Sequence, residues 1–228
     1  MPLLGSAVLT IWNGMAPGAD ADFAAWHVRE HMPERLAVPG FLRGRRYAAI
    51  EAHPAYFNFY ETLSAAVLTS PAYLARLNAP SPWTRRVVSQ FRDTGRTVCD
   101  VVESRGQGEG GVIETIEFKA APGASGAAPA TNMLTAFLDA PGVVGAHLLQ
   151  GRAADSTGGT REKSLRDQPD QVAEWVMLLE AIDADAIRTA REGACSDEVL
   201  TRAGAAPEIK RGLYALQFGL TATNGDGA

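Results

Sequence analysis

The strongest constraint on the fold is that one order of predicted strands and helices occurs twice along the 228 residues. Each half begins with an apolar, β-branched strand, Ala7 to Asn13 in the first half and Val112 to Lys119 in the second, and a helix follows. Pro39-Gly40 and Pro141-Gly142 then turn the chain into the next strand at matching places. A further strand, a helical stretch and a last strand complete each half, so both halves have the order β-α-β-β-α-β.

This order predicts an α+β protein made of two tandem ferredoxin-like repeats. Because helices cover only one face of each predicted sheet, the two bare faces should pack together within the chain as an intramolecular pseudo-dimeric α+β barrel. The predicted boundaries are a first repeat over 1–105, a glycine-rich linker over 106–111, a second repeat over 112–220 and a flexible tail over 221–228.

The second repeat contains an insertion, residues 151–171, that is polar, charged and contains two adjacent glycines. A loop of this length without regular structure is commonly a lid, a compact surface loop or disordered. Two interpretations remain open. The insertion is a disordered or solvated excursion, or it is a lid that carries Arg161, Lys163 or Arg166 over an anionic ligand.

Composition excludes some classes of partner. The formal net charge of -5 and the pI of about 5.4 argue against a nucleic-acid or anionic-membrane surface, since both need clustered positive charge. Met1 to Ala16 lacks a basic n-region, and no stretch reaches the roughly 18 apolar residues of a membrane span. Cys99 and Cys195 are isolated and are predicted to be buried small hydrophobes. We therefore expect a cytoplasmic protein with no nucleic-acid or membrane partner.

A metal-site motif occurs in the first predicted helix. His27, Glu30 and His31 fit H-x-x-E-H, which on a helix places two imidazoles one turn apart with a carboxylate between them, as in metalloproteases. Pro33 should loosen that turn, and no downstream helix shows an obvious third ligand. We predict no metal site and no cofactor, and zinc hydrolysis remains an alternative.

The first predicted helix and the basic, aromatic strand after it resemble the EthD-type members of the dimeric α+β barrel superfamily. The match rests on Phe23, His31 and Pro33, which fall where that family has an aromatic residue, a histidine and a proline. His27 stands where the family has a tryptophan, with Trp26 beside it. The second half matches only through its element order and Pro-Gly turn. Since this fold includes cofactor-independent oxygenases, polyketide cyclases and haem-binding enzymes, the resemblance implies a small-molecule protein.

Within this helix, His31 lies at the edge of the apolar stripe and can reach a cleft between helix and sheet, whereas His27 is predicted to be solvated. A histidine with a pKa near neutrality can act as a general acid or base, so His31 is the predicted catalytic residue. The predicted ligand contacts are Trp26, Tyr47, Tyr60, Trp83 and Arg46. Each has a simpler interpretation as a core aromatic, a solvated charge or a structural histidine bonded to a backbone carbonyl.

The leading hypothesis is an EthD-like small-molecule-binding protein that acts as a cofactor-independent oxygenase, isomerase or cyclase on an aromatic or polyketide-like compound. The main alternative is a non-catalytic binding or structural module of the same fold, and haem binding is a further one. Whether the chain is an enzyme stays open. Because the internal pair covers both sheets, we expect a monomer or weak homodimer whose partner is a small-molecule ligand.

Overall fold

The computed structural model describes residues 2–123, 131–156, 158–166 and 168–223. Residues 224–228 of the predicted tail and Ala130, the predicted start of a helix, lie outside the described residues.

Eight strands form a closed barrel in which all neighbours are antiparallel, in the order β1-β3-β2-β8-β5-β7-β6-β4. The strands are β1 Ala7–Met15, β2 Phe41–Glu51, β3 Tyr56–Thr62, β4 Phe91–Gly106, β5 Val112–Phe118, β6 Val143–Gly151, β7 Trp175–Ala181 and β8 Lys210–Thr221. Each half supplies four consecutive strands, and the pairs β2–β8 and β4–β6 join the halves. The predicted pseudo-dimeric α+β barrel is confirmed.

Helices lie outside the barrel. They are α1 Asp20–Trp26, α2 Met32–Leu36, α3 Pro71–Asn78, α4 Pro82–Val88, α5 Thr131–Leu138, α6 Ala153–Ser156, α7 Ala184–Glu192 and α8 Asp197–Arg202, with a π-helical turn at His27–His31 and 3-10 turns at Ala65–Thr69 and Lys163–Leu165. In the described part of the chain, no helix is long and apolar enough to cross a membrane.

Local sequence explains most element boundaries. The Ser70 and Ser81 hydroxyls accept the backbone N–H groups of Tyr73 and Thr84, as the two Ser-Pro pairs predict. Two boundaries differ from expectation. The Ser81-Pro82 pair predicts a helix from Pro82 to Phe91, but α4 ends at Val88 and Phe91 begins β4. Asp183 predicts a single helix through about Arg202, but this stretch is broken into α7 and α8.

Both predicted Pro-Gly turns are present. Gly40 has φ of 94° and Gly142 has φ of 81°, the left-handed region that residues with a Cβ rarely adopt. Each glycine therefore lets the chain reverse directly from a helix into the second strand of its half.

The barrel interior is one apolar core that both halves fill. Trp12, Tyr47 and Phe57 from the first half pack with Leu178 and Tyr214 from the second. Along a strand the side chains alternate between faces, so β3 directs Phe57 and Phe59 inward and Tyr60 outward to the helices. The predicted burial of Cys99 and Cys195 is confirmed.

A buried ionic network ties the halves together beside this core. Arg45 of β2 donates to both carboxylate oxygens of Glu180 of β7, at 2.8 and 3.0 Å. His147 Nε2 lies 3.2 Å from the same carboxylate, and Gly110 N–H donates to it at 3.1 Å. Burial alone would raise the pKa of Glu180, but the His147 and Arg45 contacts outweigh burial and lower that pKa to about 2. Glu180 is therefore ionised in the folded protein.

A serine, a histidine and a carboxylate are hydrogen-bonded in the sequence of a hydrolase catalytic triad: Ser104, His147 and Glu180. Ser104 Oγ lies 2.8 Å from His147 Nδ1. Their other contacts make the group structural. The Glu180 carboxylate is shared with Arg45, and Ser104 Oγ accepts the Leu3 backbone N–H at 2.7 Å. The serine oxygen is thus occupied by the chain itself.

Removing the Arg45 guanidinium should destabilise the fold strongly. Arg45→Met is expected to lower the free energy of unfolding by about 3–5 kcal/mol, because it leaves the Glu180 charge buried without its ion partner. Urea unfolding followed by circular dichroism measures this change. The control is Arg188→Met, since Arg188 pairs with Glu51 at the exposed surface. Equal effects of the two substitutions would contradict the role given to Arg45.

Candidate functional site

A cavity of about 200 Å³ lies on the outer face of the first-half sheet, between the strands, the helices and the described part of the insertion. Its apolar and aromatic lining is formed by Leu9, Ile11, Phe23, Trp26, Tyr60, Leu68, Tyr73, Leu74, Leu77, Val88 and Phe91. From the first half, the polar side chains in the lining are His27, His31, Arg35, Asn58, Thr69 and Arg96. A mainly apolar wall with a few convergent polar groups is typical of a small-molecule site.

A widened helical turn carries both histidines to this cavity. The Met32 N–H donates to the carbonyl of His27, five residues earlier, so His27–His31 forms a π turn between α1 and α2. Pro33 has no N–H to donate to the carbonyl four residues before it, which prevents regular α-helical bonding here. The loosening predicted at Pro33 is therefore seen as a π turn, a feature frequent at functional sites.

His27 is buried, with 2% of its surface exposed, so the prediction that it is solvated was wrong. Its Nε2 lies 3.1 Å from the Tyr60 hydroxyl, and its ring packs 5.4 Å from the Phe23 ring, between centroids. Its Nδ1 is buried and has no hydrogen-bond partner among the described residues. The apolar stripe on the helix did not predict the burial of His27, because the ring packs against aromatic side chains and not against the aliphatic residues of that stripe.

His31 lies in the cavity wall and is 6% exposed. Its ring stacks at a tilt on the Trp26 ring, with centroids 4.2 Å apart, and lies 5.5 Å from the His27 ring. Its Nδ1 is buried without a hydrogen-bond partner in the described part of the chain. The backbone-carbonyl bond expected of a purely structural histidine is not seen at this nitrogen.

Both histidines are held neutral. Burial, with the Arg46 and Arg35 charges adding to it, lowers the pKa of His27 to about 3. Burial, Arg35 and His27 lower the pKa of His31 well below its usual value. Burial raises the pKa of Tyr60, which keeps its hydroxyl protonated and able to donate to neutral His27. Because Tyr60 donates to Nε2 of neutral His27, the His27 ring carries its proton on Nδ1, and His31 is the histidine that can offer a free lone pair at neutral pH.

The insertion forms the outer wall of the cavity. We call its described residues 152–156, 158–166 and 168–171 the cover segment. Its backbone is fixed to β4, where Arg152 N–H donates to Val98 O at 2.7 Å, and to the end of α3, where Glu162 N–H donates to Leu77 O at 3.0 Å. The Glu162 carboxylate accepts from Arg35 at 2.5 Å. A segment of the second half therefore completes a cavity in the first half.

Two of the three basic residues proposed for a lid lie in this wall. Lys163 and Arg166 line the cavity, whereas Arg161 is exposed and outside the lining.

Of the predicted site residues, His31, Trp26 and Tyr60 line the cavity together. Tyr47 does not, because its strand directs it into the barrel interior. Its hydroxyl is buried there without a hydrogen-bond partner among the described residues.

Trp83 and Arg46 also lie outside the cavity lining. Trp83 Nε1 donates to an Asp22 carboxylate oxygen of α1 at 2.8 Å. Arg46 donates to the Ala24 carbonyl at 3.2 Å, and its guanidinium lies over the Phe23 ring. Both side chains are used to hold α1 against its neighbours.

Many polar and aromatic residues of the lining were missed from the sequence, among them Arg35, Asn58, Tyr73 and Arg96. Asn58 had a readable signal, since an amide between the aromatic residues of one strand faces the same side as Tyr60. Its nitrogen donates to Asn13 at 2.9 Å, and its Oδ1 is buried without a partner among the described residues.

The glutamate of the H-x-x-E-H motif, Glu30, holds neighbouring helices together and faces no metal site in the described part of the chain. The Glu30 carboxylate accepts from Trp26 Nε1 at 3.2 Å, from Ser81 Oγ at 2.5 Å and from Thr84 Oγ1 at 2.9 Å. It thus fixes the helical turn to the start of α4 through two hydrogen bonds, and the third comes from Trp26 of α1. Across the described ranges, no group of three or more His, Cys, Asp and Glu side chains is arranged to hold a metal ion.

The lowered pKa values predict that neither cavity histidine titrates near neutrality. Nitrogen-15 chemical shifts of the His27 and His31 rings should stay at neutral-imidazole values from pH 8 down to pH 5. The variants His27→Gln and His31→Gln assign the two sets of signals. Midpoints near the ordinary histidine value in the ligand-free protein would contradict the burial and charge effects described above.

Comparison with known proteins shows the fold. No protein-family model and no curated protein matches the chain. Among solved structures, an anthrone oxidase-like protein has a TM-score of 0.62 at 14% identity, covering 97% of this chain and 95% of that one. A candidate monooxygenase from Fusobacterium nucleatum has a TM-score of 0.56 at 12% identity, covering 96% of each chain.

A candidate monooxygenase from Lactobacillus acidophilus has a TM-score of 0.54 at 10% identity, covering 95% of this chain and 97% of that one. At such identities, a likeness over nearly the whole of both chains is evidence about architecture. The likeness therefore shows a ferredoxin-like, α+β barrel fold, as predicted.

Proposed function

We propose that the cavity binds a small aromatic molecule and that the protein acts on it as a cofactor-independent oxygenase, isomerase or cyclase. The observation that carries this proposal is the pair of buried, neutral histidines in the wall of a mainly apolar cavity. The EthD-like assignment, which rests on Phe23, His31 and Pro33, is part of the same proposal.

Unpartnered polar atoms collect in this one wall. His27 Nδ1, His31 Nδ1 and Asn58 Oδ1 are all buried without hydrogen-bond partners among the described residues. A buried polar group left unpaired costs about 1–3 kcal/mol, so such groups in a native protein call for an explanation. A polar ligand or water within the cavity, reached by modest movement of these side chains, would supply the missing partners.

The size and the walls of the cavity favour an aromatic ligand. An apolar cavity of about 150 Å³ can hold benzene, so the volume of about 200 Å³ suits a small substituted aromatic. Trp26, Tyr60 and Tyr73 present ring faces and edges, with which aromatic ligands make offset or edge-to-face contacts.

His31 is the proposed base. Its neutral ring can take a proton from a substrate hydroxyl or an activated C–H group, which leaves an anion beside an imidazolium. The attraction between these two charges raises the pKa of the ring above its value in the empty cavity, so proton transfer is supported by the substrate itself. Arg35, beside His31 in the lining, adds a positive charge that stabilises the substrate anion.

In the oxygenase reaction, O2 is the oxidant. The substrate CH2 group loses a proton to His31, the carbanion forms a C–O bond with O2, and the imidazolium returns its proton to the resulting peroxide. Loss of water from the hydroperoxide leaves a carbonyl, so carbon is oxidised and both oxygen atoms are reduced. Names of the structural neighbours, an anthrone oxidase-like protein and two candidate monooxygenases, add support for this reaction class.

The low pKa of His31 favours one second candidate, a non-catalytic binding protein. A base whose pKa is far below the working pH has little driving force for proton removal. The same cavity would then bind an aromatic ligand and release it unchanged.

Binding of 2-naphthol tests the ligand class. Titration calorimetry should show saturable binding to the native protein, and Tyr60→Phe should weaken it about two- to tenfold because the hydrogen bond to His27 is lost. Tyr47→Phe is the matched control, since this buried tyrosine lies in the barrel interior and should leave binding unchanged. Absence of binding to the native protein would contradict the proposed function.

Oxygen uptake tests the reaction. With hydroxylated naphthalenes and anthrones as substrates, His31→Ala should lower the rate by about a hundredfold or more while ligand still binds, because general base catalysis contributes roughly that factor. Tyr47→Phe again serves as the control. Binding without oxygen uptake or product formation by the native protein would favour the non-catalytic candidate.

A further inference from the structure

We infer that the ligand is an aromatic acid, whose carboxylate is held by Arg96 of β4 together with Lys163 and Arg166 of the cover segment. This inference rests on the proposed function, which supplies the aromatic ligand, and adds the charged substituent that the cavity selects. All three cations line the same cavity.

Arg96 is a buried cation without an ion partner among the described residues. Its side chain is 8% exposed, and its hydrogen bond to the Tyr73 hydroxyl at 3.3 Å is long. No carboxylate in the described part of the chain lies within 4 Å of its guanidinium nitrogens. Because buried charges are ordinarily paired, this guanidinium is a free anion site in the cavity wall.

The cover segment places two further cations beside Arg96. Lys163 Nζ lies 3.3 Å from the Asp170 carboxylate, and Arg166 lies 2.9 Å from the same group. The Arg166 side chain is nine-tenths buried, and its Nε has no hydrogen-bond partner among the described residues. Lys163 and Arg166 therefore share the Asp170 carboxylate, and Arg96 lies beside them without contacting it.

The pKa values of Lys163 and Arg166 also show that these cations lie close to Arg96. Burial and then the Arg96 charge lower the pKa of Lys163. Burial also lowers the pKa of Arg166, where the Asp170 charge opposes the shift and Arg96 adds to it. A bound carboxylate would relieve this repulsion.

The acidic groups of the lining do not neutralise the cluster, because each has an arginine of its own. Glu162 accepts from Arg35 at 2.5 Å, and Asp155 accepts from Arg152 at 2.5 Å. Among the described residues, these pairs leave the Arg96 side of the cavity positive.

The geometry suits a carboxylate joined to a ring. A guanidinium presents a planar fork that matches the two oxygens of a carboxylate, and charge-assisted bonds of this kind are strong. With the acid at Arg96, the ring of the ligand extends along the aromatic wall towards Trp26 and His31. Arg96 N–H also donates to Gln171 O at 2.9 Å, so the same strand residue fixes the cover segment.

Paired ligands test the inference. Calorimetric titration with 2-naphthoate, 2-naphthamide and 2-naphthol should show the acid binding about ten- to a hundredfold more tightly than the amide, as hydrogen bonds to charged groups imply. Arg96→Gln and Arg166→Gln should each reduce this preference while leaving 2-naphthol binding unchanged. Arg96→Lys should keep part of the preference because it keeps the charge.

Arg85→Gln is the control, since Arg85 is exposed on α4 and outside the cavity lining. Thermal unfolding of each variant verifies that it is folded, and Arg166→Gln carries the test if Arg96→Gln is not. Equal affinity for acid and amide, or a preference that survives both glutamine substitutions, overturns the inference while the proposed function stands. Failure of the native protein to bind any of the three ligands overturns the proposed function itself.

Discussion

The antiparallel pairing of β4 with β6 is the constraint on which the site depends. With β2–β8, this pairing closes the barrel, so no strand edge is left open and the inner faces of both halves form one core. In this pairing Gly151, the last residue of β6, stands opposite Cys99 of β4. The chain that leaves β6 is therefore already at the first half, where the cover segment forms the cavity wall.

The two halves share an architecture and differ in what fills the space between helix and sheet. In the second half, Leu134 and Phe137 of α5 are fully buried in an apolar core. In the first half, the corresponding space receives His27 and His31 from a π turn, and the cavity remains beside them. The second half thus contributes stability through close packing, whereas the first half contains unpaired polar groups next to a cavity.

Charge divides the cavity into two regions. Near the π turn, burial and nearby arginines keep both imidazoles neutral, which preserves the lone pair of His31 for a substrate proton, while His27 accepts from Tyr60. Near the cover segment, Arg96 and its two neighbours keep the wall positive. A ligand with an acidic group at one end and a removable proton at the other would meet complementary groups in both regions.

Local sequence was sufficient to predict the barrel, because strand alternation and Pro-Gly turns act over a few residues and occur in the same order in both halves. It also placed His31, Trp26 and Tyr60 together, since they lie on one helix and on the outward face of one strand. Tyr47 and the burial of His27 required the folded chain, because Tyr47 turns into the core that both halves fill and His27 is covered by aromatic residues of the first half. Only the tertiary structure joined Arg96 to the cover segment, whose path over the first half is set by the β4–β6 pairing between residues far apart in sequence.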